Sequence, residues 1–500
     1  MTANSLLVLI VFFPLAGSLL ALATGFKPRL CRWVSLSLSL IELALISLLF
    51  SLNLQPQAGP TGTWLLAVDY PWLELFGARF SLGLDGLSLM LILLTAFLTV
   101  ISILISWEAI QERVGAFNFF LLFLEGCLAG LFLATDLFLF YLFWEIQLIP
   151  MFFLIGIWGH KNRVYASTKF ILFTFGGSLF MLIALIALYV IHGQQTGVYT
   201  FSLYQLTQTS LSPAAEAWLY AAFLLAFAIK IPLVPVHTWL PDAHTEAPTA
   251  GSVDLAGLLL KTGFYALFRF AFPLFPKAAY ASIPLLLVLG LVGMFYAAWI
   301  ALAQTDIKRL VAYSSIGHMG LMVLALGVWN VIALSGSLLQ LINHGLSTSA
   351  LFVMVGMLDE RLGSREFADM GGLWKKMPVF SAFFLFFALS SMGLPGLNNF
   401  VGEILILIGT FQVRPVVAIA AFIGVVLGVI YILRMVQDSL FGQASEEHHL
   451  WDIKPREMVV LVILALPVLY IGLHPGPVLK LFESSINLML QQAPVLAQNF

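Results

Sequence analysis

Apolar residues in this chain fall in blocks of about twenty or more, joined by short polar connections. An α-helix rises about 1.5 Å per residue, so each block is long enough to cross a hydrocarbon core of about 30 Å. Composition closes the soluble route. Of 500 residues, 61% are hydrophobic and 10% charged, against about 25% charged in soluble domains. The expected fold is therefore an all-α polytopic membrane protein. Fourteen spans are placed at about 4–24, 31–52, 83–106, 115–134, 136–158, 165–191, 216–241, 247–272, 282–303, 306–329, 331–358, 378–411, 415–441 and 457–474. The partly apolar tail beyond them is expected along the membrane surface. Met1 to Leu22 has no basic segment before its apolar run, so it reads as a first span and not as a cleaved signal.

The basic residues orient the spans. Loops after odd-numbered spans hold fifteen of the 23 Lys and Arg. The opposite side holds four (Arg79, Lys277, Arg414 and Lys480), and four more lie within spans. Basic loops stay cytoplasmic, which puts both termini on the periplasmic side of a bacterial inner membrane. A miscounted span would have scrambled this alternation.

Two spans carry helix breakers near their middles. The seventh reads Lys230-Ile231-Pro232-Leu233-Val234-Pro235 and the twelfth Gly393-Leu394-Pro395-Gly396-Leu397-Asn398-Asn399. Proline removes a backbone donor and clashes with the preceding turn, and broken helices persist at membrane depth only where protein or a wet cavity satisfies the freed groups. Paired interruptions mark inverted-repeat transporters with a site at the midplane. Spans 4–8 and 9–13 then form two five-helix units, each broken in its fourth helix. The organisation is residues 1–110 for helices 1–3, 111–275 and 276–442 for the two inverted repeats, and 443–500 for the last loop, helix 14 and the tail.

Within the spans sit Glu145, Lys230, Asp254, Lys261, His318, His344 and Glu403. A charge at the bilayer centre costs at least ~2.5 kcal/mol. Burial disfavours the charged form and an opposite charge favours it, so such groups can be poised to change protonation. Each also has a plainer reading. Glu145 could be a static ion-pair partner, and Lys230 could cap carbonyls freed by the break. Glu403, after the second break, invites the same reading. Asp254 and Lys261 are seven residues apart, two turns or about 10.5 Å along one face, too far for contact but near enough to share water. His318 and His344, taken singly, read as hydrogen-bonded core histidines; their shared depth with two lysines favours a relay. His237 suits packing and proton uptake equally. Glu42 and Glu125 have no assigned partner, Arg434 is expected to pair with a carboxylate, and His448 and His449 are read as a solvated loop.

Other chemistries find no support. Cys31 and Cys127 form no CxxC and cannot supply the thiolates of an iron–sulfur or zinc site. No Gly-rich phosphate loop follows a strand, and a net charge of −2 gives no reason to expect nucleic-acid binding.

The run from Lys230 through His237-Thr238-Trp239-Leu240-Pro241-Asp242-Ala243-His244, continuing as Glu246-Ala247-Pro248-Thr249-Ala250-Gly251-Ser252-Val253-Asp254-Leu255-Ala256-Gly257, resembles the antiporter-like membrane subunits of respiratory complex I. Gln304–Ser315 and Phe400-Val401-Gly402-Glu403 extend the likeness over nearly the whole chain. The resemblance implies fourteen helices, two inverted repeats and a hydrated polar axis in the membrane plane. It matches Glu145 to the family's fifth-span glutamate, which pairs with a pumping lysine matched by Lys230, and Lys261 to the central lysine of span 8. His318 and His344 match the histidines that continue the axis, and Glu403 matches the terminal acid of span 12. Sister chains L and N carry lysine at that last position, which sets this chain apart from them. Asn398-Asn399 departs from the small residues expected at the break. The resemblance further implies partners of the L and N types in the lipid bilayer, no cofactor in this chain, and NADH, FMN, iron–sulfur clusters and quinone in partner subunits. A sodium/proton antiporter subunit of the multi-subunit type and a static membrane scaffold are the alternatives.

Overall fold

The computed structural model describes residues 3–52, 54–55, 57–59, 62–442 and 450–491; His448 and His449 lie outside them. Among the described residues, thirteen helices are long and apolar enough to cross a membrane. The twelfth expected span is two shorter apolar helices, Pro378–Ser391 and Asn398–Val413. Counted as one broken helix, they bring the total to fourteen, with ends within a few residues of those read from the sequence, except at the seventh and sixth. The seventh helix, Pro213–Lys230, stops at Lys230, and the chain resumes as Trp239–Glu246.

Two spans form the centre. The apolar windows of Thr249–Leu274 and Val331–Leu362 (spans 8 and 11) are wholly buried, whereas those of the second and penultimate spans are mostly exposed. Glycine brings the central pair together. A Cβ on Gly345 would lie 3.1 Å from the Gly257 carbonyl oxygen, so only glycine lets the two backbones approach this closely. Gly336 plays the same part between span 11 and the second half of span 12, where a Cβ would sit 2.8 Å from the Gly402 carbonyl.

The connection before span 3 holds structure that helical periodicity does not announce. Leu66–Leu73 pairs antiparallel with Ala78–Leu84, Leu66 opposite Leu84. The tail is also more specific than a helix resting on lipid. Its helix, Gly476–Gln491, packs so tightly on span 3 that a Cβ at Gly86 would collide with the Leu481 carbonyl.

Span 11 is anchored at its basic end by Arg361, whose Nη2 lies 2.6 Å from Glu457 Oε2 of the last span. The same guanidinium donates to the Met357, Trp451 and Asp452 carbonyls. Removing one member of a buried pair leaves the other charge uncompensated, at a cost of about 3–5 kcal/mol. Arg361→Ala is therefore expected to lower the melting temperature and the membrane abundance of the protein. Unchanged abundance would show that this anchor carries no stability.

Candidate functional site

The close approach of Gly257 and Gly345 sets Lys261, one turn on, against His344. Lys261 Nζ lies 2.6 Å from His344 Nδ1 and also donates to the Ala256 carbonyl. That carbonyl is five residues back, within a π-helical turn, Leu255–Leu259; a second π turn, Leu267–Ala271, follows. Such turns loosen the backbone ladder and recur at functional sites. The His344 ring meets that of His318 edge to face, centroids 5.4 Å apart. His318 Nδ1 in turn lies 3.4 Å from Glu403 Oε1. Four ionisable side chains from spans 8, 11, 10 and 12 thus lie in one line, its two histidines joined by ring contact and not by a hydrogen bond.

The break in span 12 delivers the last of them. Gly393 and Gly396 take φ of +72° and +94°, a region costly for other residues. A Cβ on Gly393 would also run into the Glu403 carboxylate at 2.4 Å. The asparagines that looked out of place hold the break together. Asn398 accepts from Ser390 Oγ at 2.7 Å and donates to the Asn343 carbonyl, while Asn399 donates to the Ser390 carbonyl at 2.9 Å. Gln340 donates to Asn399 and, at 3.5 Å, to Glu403. Beside His318, Glu403 and Tyr431 lies a small cavity of about 30 Å³, of the order needed for a water molecule.

The other half is arranged differently. Lys230 is 1% exposed, yet its Nζ has no hydrogen-bond partner. It lies 5.2 Å from the centroid of the Trp144 ring and 5.9 Å from that of Phe170. With Nζ unpartnered it does not cap the break, where Trp239 Nε1 donates to the Ile229 carbonyl at 2.8 Å. Glu145, half-buried, is within electrostatic reach, but its Oε1 is unpartnered and no ion pair joins the two. The expected pair is open here. Spans 7 and 8 touch nearby, where a Cβ on Gly263 would be 3.1 Å from Lys230 Cβ.

Two further expected groups stand off the line. Asp254 accepts from Ser102 of span 3 at 2.9 Å and makes no contact with Lys261. A π turn, Leu255–Leu259, lies between them. Instead Asp254 is within electrostatic reach of Glu125, which also senses Glu42. His237 is buried, with Nδ1 unpartnered and its ring edge-on to Tyr296. Arg434 pairs with Asp438 at 3.2 Å, one turn away.

One buried histidine did not stand out from the sequence. His244 stacks on Phe352 with neither ring nitrogen bonded, and it is within electrostatic reach of Lys261, Lys308 and His344. The Pro241-Asp242-Ala243-His244 run contained it, but nothing in that run says the ring turns inward. Lys308, at the start of span 10, is 2% exposed and donates to the Ala247 carbonyl at 2.5 Å. Toward the basic side follow Arg365, paired with Asp306, and His160, 3.4 Å from Asp359.

His160 lies in the loop between spans 5 and 6. Burial, then Lys308 and Arg365, push its pKa from 6.5 to about 4, against the pull of Asp359. At neutral pH its ring is uncharged, 40% exposed and 3.4 Å from Asp359. A depressed folded-state pKa contributes stability above about 6.5 that is lost as pH falls toward about 4. Melting curves over that window are expected to flatten in His160→Gln. Identical pH profiles would remove His160 from the mouth's electrostatics.

Fold and site together define a multi-span membrane protein of the antiporter-like class. The chain belongs to the family described as NADH:quinone oxidoreductase/Mrp antiporter, TM, which matches residues 134–430. It is 45% identical over 489 residues to NADH-quinone oxidoreductase subunit M of Pseudomonas aeruginosa and 42% identical over 494 to that of Escherichia coli K12; each alignment covers 96% of both chains. A chain of respiratory complex I from Thermus thermophilus superposes with a TM-score of 0.87 at 32% identity, covering 97% of this chain and 99% of that one. An Mrp complex from Dietzia shares the fold with a TM-score of 0.82 at 22% identity, over 97% of this chain and 52% of that one.

Proposed function

We propose that this chain is a proton-translocating membrane-arm subunit of an NADH:quinone oxidoreductase, carrying protons from cytoplasm to periplasm. The observation that carries this reading is the contiguous line Lys261–His344–His318–Glu403, which ends at the broken helix of span 12. Protons reach the line from the basic side past His160, Lys308 and His244, and leave beyond Glu403 toward the periplasm. The Glu145–Lys230 pair is the switch. When it closes, each charge steadies the other; when it opens, the desolvated ammonium is driven to release its proton. Asp254 and His237 act at the margins, the first facing Glu125 and the second facing Tyr296.

The driving force comes from quinone reduction in partner subunits that hold NADH, FMN, iron–sulfur clusters and quinone, with neighbours of the L and N types in the bilayer. Lifting one charge against 100 mV requires ~2.3 kcal/mol, within a pKa swing of two units, ~2.7 kcal/mol. Two inverted five-helix units, 111–275 and 276–442, each interrupted in their fourth helix, give the site its two halves. An orphaned ammonium speaks against a static scaffold, because packing alone would have paired or replaced it.

Reconstituting the assembled complex in proteoliposomes with a pH-sensitive dye tests the reading. NADH and quinone are expected to drive proton movement with or without sodium. A strict sodium requirement would instead indicate an antiporter.

A further inference from the structure

The far end of span 8 holds an ion pair outside the proton line. Arg269 reaches Asp85 through Nη2, and Asp85 also accepts from Ser485 Oγ of the tail helix at 2.6 Å. Arg269 is 5% exposed, its guanidinium 5.2 Å from the Trp64 ring centroid and 5.5 Å from that of Tyr265. Its Nε has no hydrogen-bond partner. A guanidinium offers five donors, and a buried donor left without an acceptor is costly.

Arg269 borders a cavity of about 150 Å³. Thr63, Thr207 and Ser485 give it hydroxyl groups; Leu203, Phe268 and Leu488 give it an apolar wall. Asp85 already balances the guanidinium charge, so a cation has nothing to gain there and an apolar guest leaves Nε unsatisfied. The missing partner is an oxygen acceptor of low charge. Arg269 stands five residues before the end of Thr249–Leu274, about 7.5 Å along the helix axis.

We propose that this cavity binds the phosphate oxygens of a phospholipid headgroup, with the acyl chain along the apolar wall. The lipid ties span 8, the segment around Thr63 and the tail helix into one unit. Inorganic phosphate offers the same oxygens without a chain, and the apolar wall argues for the lipid.

Native mass spectrometry of the whole complex, delipidated and then titrated with phosphatidylglycerol, tests this. Thr207→Trp fills the cavity without touching the ion pair. Arg269→Lys keeps the charge beside Asp85 but loses the lateral donor, and it stays informative if the first variant does not assemble. The wild type is expected to retain one more lipid than Thr207→Trp. Arg269→Lys is expected to need about tenfold more lipid for the same occupancy. Excess inorganic phosphate should leave the count unchanged. Equal lipid counts and equal titrations in all three proteins would overturn the proposal, and displacement by inorganic phosphate would overturn the choice of a lipid.

Discussion

Replacing Lys230 with methionine is expected to reduce proton translocation to background while leaving the folded protein at least as stable as the wild type. The two halves of that result have separate causes. Lys230 Nζ is buried with no hydrogen-bond partner and no ion pair within contact of Glu145. A charge so placed costs at least ~2.5 kcal/mol, and methionine of similar length removes that cost while keeping the contacts with Trp144 and Phe170. Nothing structural is lost, because the neighbouring carbonyl is capped by Trp239. What is lost is the only ionisable group at the helix end facing Glu145. Dye quenching in inverted vesicles reads the first half, and the melting temperature of the purified complex reads the second. A variant that pumps normally, or one that unfolds several degrees earlier, would remove Lys230 from the switch.

His344 is expected to behave in the opposite way for stability and the same way for transport. Among the described residues it is the one side chain bonded to Lys261, and its Nε2 is unpartnered. His344→Leu leaves the Lys261 ammonium with one carbonyl, and losing a hydrogen bond to a charged group costs about 1.5–3 kcal/mol. Lower abundance should accompany lost pumping. His344→Gln retains an acceptor for Lys261 but cannot take up a proton in this range, so it should assemble normally and still fail to pump. If both variants assembled poorly and the glutamine protein that remained pumped at the wild-type rate, His344 would be a packing residue.

How far these groups could be found without coordinates depends on what each signal measures. Length and hydropathy see a helix one residue at a time, so the spans were plain, and Pro232, Pro235 and Pro395 marked both breaks. Depth followed from position within each span, which is why Lys261, His318, His344 and Glu403 could be named. Contact could not be read. The Lys261–His344 bond depends on two glycines in different spans, Gly257 and Gly345, meeting across the core. Asp254 and Lys261 make no contact, as their seven-residue spacing implied, but the π turn between them and the Ser102 partner of Asp254 leave no mark in that spacing. The hairpin Leu66–Leu84 lies in a connection where only apolar runs long enough to span were sought. His244 was concealed because it follows a proline-rich break, where periodicity gives no inward face. The Asn398–Asn399 staple looked like a departure until Ser390 and Asn343 were found opposite it.

If protons travel through these side chains, counting them is the direct test. Protons moved per electron should be measured for the assembled complex in proteoliposomes, wild type beside Lys230→Met, at matched quinone-reduction flux. Fewer protons per electron in the variant is the predicted result. An unchanged ratio at unchanged flux would contradict it.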